Sequence, residues 1–310
     1  MEPVTLPMSP SLLHNNLVSS GRFLAYVSNV RPNPQTILIS SESLNTSFVV
    51  TSQVKYKNEE EVLSLNYVNL LSQWYLVLGF NHNVQIWNEE GNRMCGHLGF
   101  DDIEGADSET YFIGSSGSDS AQAIVVGCSI GCIALIGQNP ESLSTFSMKN
   151  SFFCSRNEPI ATVSVFENKV LTFGENGLGV FWDLKANGEF SYIEGPKVSA
   201  TVSVVIKKYA VVGFGSGEIR VVNMKTQQFL CKIWSHTRWI TGICRHETRP
   251  IFVTCSEDCT VAAWALRNGE VELVDNKEFP NILLTGVSLM EEKILVVGYD
   301  RPKLIIESLL

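Results

Sequence analysis

Few side chains in this sequence have the type and spacing that chemistry requires. Cys128 and Cys132, and again Cys255 and Cys259, are spaced C-x3-C, a spacing at which two thiolates can share a zinc ion. A structural zinc usually needs four converging ligands, and both pairs fall where an apolar strand, a polar turn and a second apolar strand follow one another. Free cysteine in such a place serves as a small hydrophobe, so no metal is expected. His14, His82, His97 and His246 are scattered without an i, i+4 pair, and G-x-S-x-G, Walker A and H-E-x-x-H motifs are absent. Glu59-Glu60-Glu61 offers paired carboxylates but reads as a solvated loop, and Asp101-Asp102 with Glu104 and Asp107 reads as a second acidic loop. No catalytic residue, cofactor or metal is expected, and the chain is not expected to be an enzyme.

The elements that carry these residues repeat. An apolar strand, a small residue, a four-residue polar turn and a second apolar strand recur from Leu76, Val125, Leu171, Val211, Val253 and Leu295. Anchored on the small residue, the series is Gly79, Gly127, Phe173, Gly213, Cys255 and Gly298, with Phe173 the misfit and gaps of 48, 46, 40, 42 and 43 residues. Roughly 40–45 residues is the period of a four-stranded propeller blade, and leucine-rich and ankyrin repeats are shorter and partly helical. Two further strand-like runs fit in each gap; Val198, Ala200, Val202, Val204 and Ile206 alternate with mostly small or polar residues, as in a strand with one face more buried.

Six anchors and an irregular first unit, with a loop at Pro32 and Pro34, make seven units. The expected fold is an all-β, seven-bladed β-propeller over residues 1–310, with blades at about 12–52, 60–98, 107–149, 157–195, 196–236, 237–276 and 277–310 plus 3–8. The last unit stops after its third strand, so Pro3 to Met8 is expected to supply the fourth and close the ring, leaving only short protected edges.

Composition agrees with a globular chain: 45% hydrophobic and 18% charged residues in 310 leave ample core material and no signature of disorder. A formal charge of −9 argues against a nucleic-acid backbone or an anionic membrane as principal partner. Met1 to Pro10 lacks the basic and apolar regions of a signal or transit peptide. The most apolar stretch, Ala123 to Ile136, is shorter than a membrane span and reads as two strands and a turn. Eight cysteines without a secretory signal are expected to be free thiols in a reducing, cytoplasmic setting, where the Asn45-Thr46-Ser47 sequon stays unused.

The sixth unit, Ser235 to Leu266, resembles a WD repeat along its whole length: His236 stands at the Gly-His position, Thr254 ends the second strand, Asp258 sits in the turn and Trp264 lies on the third strand. The resemblance implies that these four form a structural tetrad, a fold signal and not an active site. Other units keep it in part, with Trp182, Thr172 and Asn176 in the fourth and Trp87 in the second. Asn15-Asn16-Leu17, GFGSGEIRVVN from Gly213, HTRWITGI from His236, SEDCTVAAWAL from Ser256 and VVGYD from Val296 together resemble one eukaryotic WD-repeat family, that of WD repeat-containing protein 54. That family implies an intracellular interaction protein without an assigned catalytic activity.

In WD propellers the loops entering each blade form one binding face, and exposed aromatics and arginines there are the candidate anchors. Trp239 resembles the family's contact position, with Arg238 beside it and Glu257 bordering the same surface. Phe80, Phe214 and Tyr299 each follow an anchor residue and either form an aromatic rim or pack between blades. The expected function is a non-catalytic scaffold for other proteins. The alternatives are a subunit of an RNA- or microtubule-associated assembly, for which a basic stripe through Lys207, Lys208 and Arg220 would speak, and a channel-site enzyme.

Overall fold

A computed structural model describes residues 3–30, 34–45, 51–54, 56, 61–139 and 142–309. Pro32, Glu59, Glu60 and the Thr46-Ser47 half of the sequon lie outside the described residues.

In chain order the strands are β1 (Val4–Thr5), then β2–β5 (Val18–Ser19, Phe23–Val27, Thr36–Ser40, Thr51–Val54). Next come β6–β9 (Val62–Leu70, Gln73–Phe80, Asn83–Asn88, Met94–Gly99) and β10–β13 (Phe112–Ser118, Ala123–Cys128, Cys132–Asn139, Ser142–Phe153). They are followed by β14–β17 (Ile160–Phe166, Lys169–Gly174, Leu178–Asp183, Glu189–Glu194) and β18–β21 (Ala200–Ile206, Tyr209–Phe214, Glu218–Asn223, Gln228–Trp234). The chain ends with β22–β25 (Ile240–Arg245, Ile251–Ser256, Thr260–Arg267, Glu270–Glu278) and β26–β28 (Leu284–Met290, Lys293–Gly298, Lys303–Ser308). Every run of four is a meander of sequential neighbours, and a single parallel bridge, Phe146 to Gly96, joins β13 to β9. The apolar stretch 123–136 lies in the β11–β12 hairpin, two strands and a turn as expected.

Two compact units emerge. One comprises Met1–Glu59, Thr201–Asn223 and Gln228–Leu310 and the other Glu60–Ala200 with Met224–Gln227. Within the first, β1 completes the last sheet by pairing antiparallel to β28, Val4 with Leu304 and Thr5 with Lys303. Leu6, Leu17, Leu24 and Tyr26 pack with Leu295, Val297 and Leu304 in one core cluster, and the Tyr26 hydroxyl donates to the Met8 carbonyl at 2.9 Å. Within the second, the core of β6–β13 gathers Val77, Ile86, Phe112, Val126 and Ile136.

The anchor series has a steric cause. A Cβ on Gly79 would lie 2.4 Å from the Phe112 carbonyl oxygen, on Gly127 2.5 Å from Ile160 Cγ2, and on Gly213 3.0 Å from Ile240 Cγ2. In each case the next meander's first strand, β10, β14 or β22, needs that space. Cys255 is admitted because Gly242 lies opposite, where an added Cβ would meet the Cys255 sulfur at 2.8 Å. Phe173 is admitted likewise, since Cβ atoms on Gly179 or Gly195 would sit 2.7 and 2.9 Å from its ring.

Four of the described outer strands bulge, and β17 does not. Register shifts interrupt β9 against β8, β13 against β12, β21 against β20 and β25 against β24. All but one of these shifts leave a single residue unpaired, the second shift in β13 running from Phe146 to Ser142, and each twists the edge, which hinders pairing with another chain.

Candidate interaction surface around Trp239

The residues that set up the surface come from β22–β25. Trp264 Nε1 donates to Thr254 Oγ1 at 3.1 Å, and Thr254 Oγ1 lies 2.9 Å from His236 Nε2. His236 Nδ1 lies 3.2 Å from an Asp258 oxygen. One neutral tautomer satisfies the chain: Trp264 gives to the hydroxyl, the hydroxyl to Nε2, and Nδ1–H to the carboxylate. The Thr237 amide, at 2.9 Å, and the Thr260 hydroxyl, at 2.6 Å, also donate to Asp258. Burial alone would raise the Asp258 carboxyl, but the bonds from His236, Thr260 and Thr237 outweigh it and hold it well below the ordinary carboxylate range. This arrangement fixes the turn and holds no group free to react.

The pinned segment presents Trp239 immediately before β22. Its side chain is 40% exposed, a large apolar ring left half in water. Gly215 lies beneath it, where an added Cβ would fall 2.9 Å from Trp239 Cε2. The His14 ring lies beside it at 5.6 Å between centroids. Burial lowers the His14 pKa, and nearby Glu257 opposes the shift without reversing it. Arg238 Nε stands 3.6 Å from a Glu257 oxygen, with the guanidinium largely in water. Asn15 and Asn16 tie the segment carrying His14 to the sheets: their amides donate to Thr241 and Thr285 carbonyls at 2.5 and 2.9 Å. His14 was read only as one of four scattered histidines, and neither it nor Gly215 was assigned to this surface from the sequence; the G-x-G run at Gly213–Gly215 is the one signal that could have pointed to the second.

Phe80 and Phe214 are corrected: both are 0% exposed and take no part in a surface rim. They end second strands, β7 and β19, that are buried on both faces, so the position after the anchor has no solvent side. Cys128 and Ser256 are also fully buried at the matching position, and Tyr299 is half-buried. Cys128 and Cys132 are buried and interact thiol to thiol, which together with burial raises Cys128 well above the usual thiol range. Among the described residues no three His, Cys, Asp or Glu side chains form a metal-holding group.

The partial tetrads have partners as well. Trp182 Nε1 donates to Thr172 Oγ1 at 3.0 Å, while the Asn176 side chain accepts from the Leu178 amide in the turn. Trp87 donates instead to Gln85 on its own strand. The acidic loop is structural: Asp102 accepts from the Gly99 amide and Asp107 from the Glu109 amide. The sought basic stripe is interrupted, because Arg220 pairs with Glu218 at 2.5 Å and lies over the Phe229 ring.

No protein-family model matches the sequence. The U3 small nucleolar RNA-associated protein 21 homolog of Schizosaccharomyces pombe is 23% identical over 262 residues, 78% of this chain and 27% of that protein. A chain in the crystal structure of the mitotic checkpoint complex superposes over 100% of this chain and 95% of its own length, with a TM-score of 0.78 and 10% identity. The WD40 β-propeller domain of Doa1 gives 0.71 and 19% identity, over 98% of this chain and 95% of its own. The fold is that of the WD40 β-propellers. No described helix is long and apolar enough to cross a membrane.

Proposed function

We propose that the chain is a non-catalytic, cytoplasmic interaction scaffold of the WD repeat-containing protein 54 kind that captures other proteins on the surface centred on Trp239. One observation carries this reading: a tryptophan left 40% exposed on a segment that the His236–Asp258 network holds rigid. A half-wet indole with an arginine and a glutamate at its rim has the composition of a binding hot spot, and preorganisation lowers the entropic cost of capture. His236, Thr254, Asp258 and Trp264 serve the fold; Arg238, Trp239, Glu257 and Tyr299 meet the partner. Affinity purification from the native cell tests this. Trp239→Ala should weaken capture by about 2 kcal/mol or more, and equal recovery of every partner by variant and wild type would remove this surface.

The similarity to an RNA-associated protein supports a second reading, a subunit of an RNA-containing assembly. Against RNA contact by this chain itself stand the formal charge of −9 and the engagement of Arg220 by Glu218. RNA binding that weakens steeply with salt would favour the second reading.

A further inference from the structure

We propose that the outer edge of β17, Glu189–Glu194, is a second docking site, one that takes an extended peptide segment as an added strand with basic residues at both ends. This site is independent of the Trp239 surface. Among the described outer strands of six residues or more, β17 alone keeps unbroken register with its neighbour, from Leu178 opposite Glu194 to Asp183 opposite Glu189. The four others carry a bulge, and β13 and β9 are also bridged to each other. β17 is last in its sheet, so alternate backbone N–H and C=O groups face outward along a regular edge, which is the template for strand addition.

The side chains beside this edge fit that use. Phe190 is 39% exposed and its ring lies 5.7 Å from Trp182 and 5.6 Å from Tyr192, giving an aromatic row on one face of the strand. Arg156 lies over the far end of the row, 4.5 Å from the Tyr192 ring. The other face is polar at its centre, where Ser191 donates to Gln227 at 3.1 Å. An incoming strand would therefore meet the aromatic rings of Phe190 and Tyr192 on one face and Ser191 and Ile193 on the other.

Charge chooses the occupant. The edge begins at Glu189 and ends at Glu194, both exposed, and the unit that holds it has 17 acidic against 7 basic residues. A second copy of this chain pairing antiparallel would set Glu189 against Glu194 twice, and like charges directly opposite are destabilising. A partner strand with Lys or Arg at both ends, five positions apart, places opposite charges there instead.

The test uses the full chain and a fluorescent probe peptide, acetyl-Lys-Thr-Val-Thr-Val-Lys-amide, read by anisotropy. Saturable binding is expected, and the same peptide with glutamates at its ends should bind about tenfold more weakly. Glu189→Lys with Glu194→Lys should reverse that preference at an unchanged melting temperature. Of two further peptides, one N-methylated at both valines and one at both threonines, one should lose binding, because only one alternate set of amides faces β17. No saturable binding, a preference that the charge reversal leaves alone, or equal binding of both N-methylated peptides would each overturn the proposal. A concentration-dependent dimer abolished by the charge reversal would overturn the choice of occupant.

Discussion

At the scale of single residues, the hydrogen-bond chain through His236 separates what holds the fold from what is offered to a partner. Asp258→Ala leaves the Thr237 amide without its acceptor and the His236 Nδ1–H with only the Thr260 hydroxyl, 3.0 Å away, which should cost about 1–3 kcal/mol and lower the melting temperature. A melt equal to wild type would show that the carboxylate holds nothing. The same carboxylate sets a pH dependence. Its pKa is depressed in the fold, so its contribution is present above the unfolded value of 3.8 and lost as pH falls below it. The gap in melting temperature between wild type and Asp258→Asn should therefore be widest near neutrality and narrow towards pH 3. Gly215→Ala is the complementary test: the methyl must displace the Trp239 ring, so partner capture should fall although no contact residue has been removed.

At the scale of elements, some strands were legible and others were not. From β6 onward the second and third strands of the meanders appeared as apolar runs around an anchor residue, and the close approach of β10, β14 and β22 explains why that residue is glycine at three anchors. Trp239 was singled out because it resembles a contact position of WD repeats, and it is 40% exposed. Phe80 and Phe214 were not, because period-2 alternation assigns a face only when one face is wet, and β7 and β19 are covered on both. The outer strand β21 shows the contrast, with exposure alternating along its whole length. Phe173 looked like a broken repeat until Gly179 and Gly195 were seen to vacate the space its ring fills. Gly179→Val should therefore destabilise β14–β17 by about 1–3 kcal/mol, and Phe173→Leu should restore part of the loss; chemical denaturation of both variants checks this.

At the scale of the molecule, the acidity of the chain is unevenly held. The unit of Glu60–Ala200 and Met224–Gln227 carries 17 acidic and 7 basic residues, leaving 15 and 16 to the other. The formal charge of the whole concealed this, since the division depends on which segments pack together. The N-terminal strand, by contrast, was legible because a final meander with three strands demands a fourth. Removing residues 1–8 should expose the β28 edge and vacate the site of Leu6, lowering the melting temperature by several degrees. Partner recovery measured side by side for wild type and Trp239→Ala, each corrected for the folded fraction from its own melt, bears most directly on the whole. The expected result is an unchanged melt with recovery reduced at least tenfold. Full recovery by Trp239→Ala would contradict the claim that this rigidly held indole is where the molecule meets its partners.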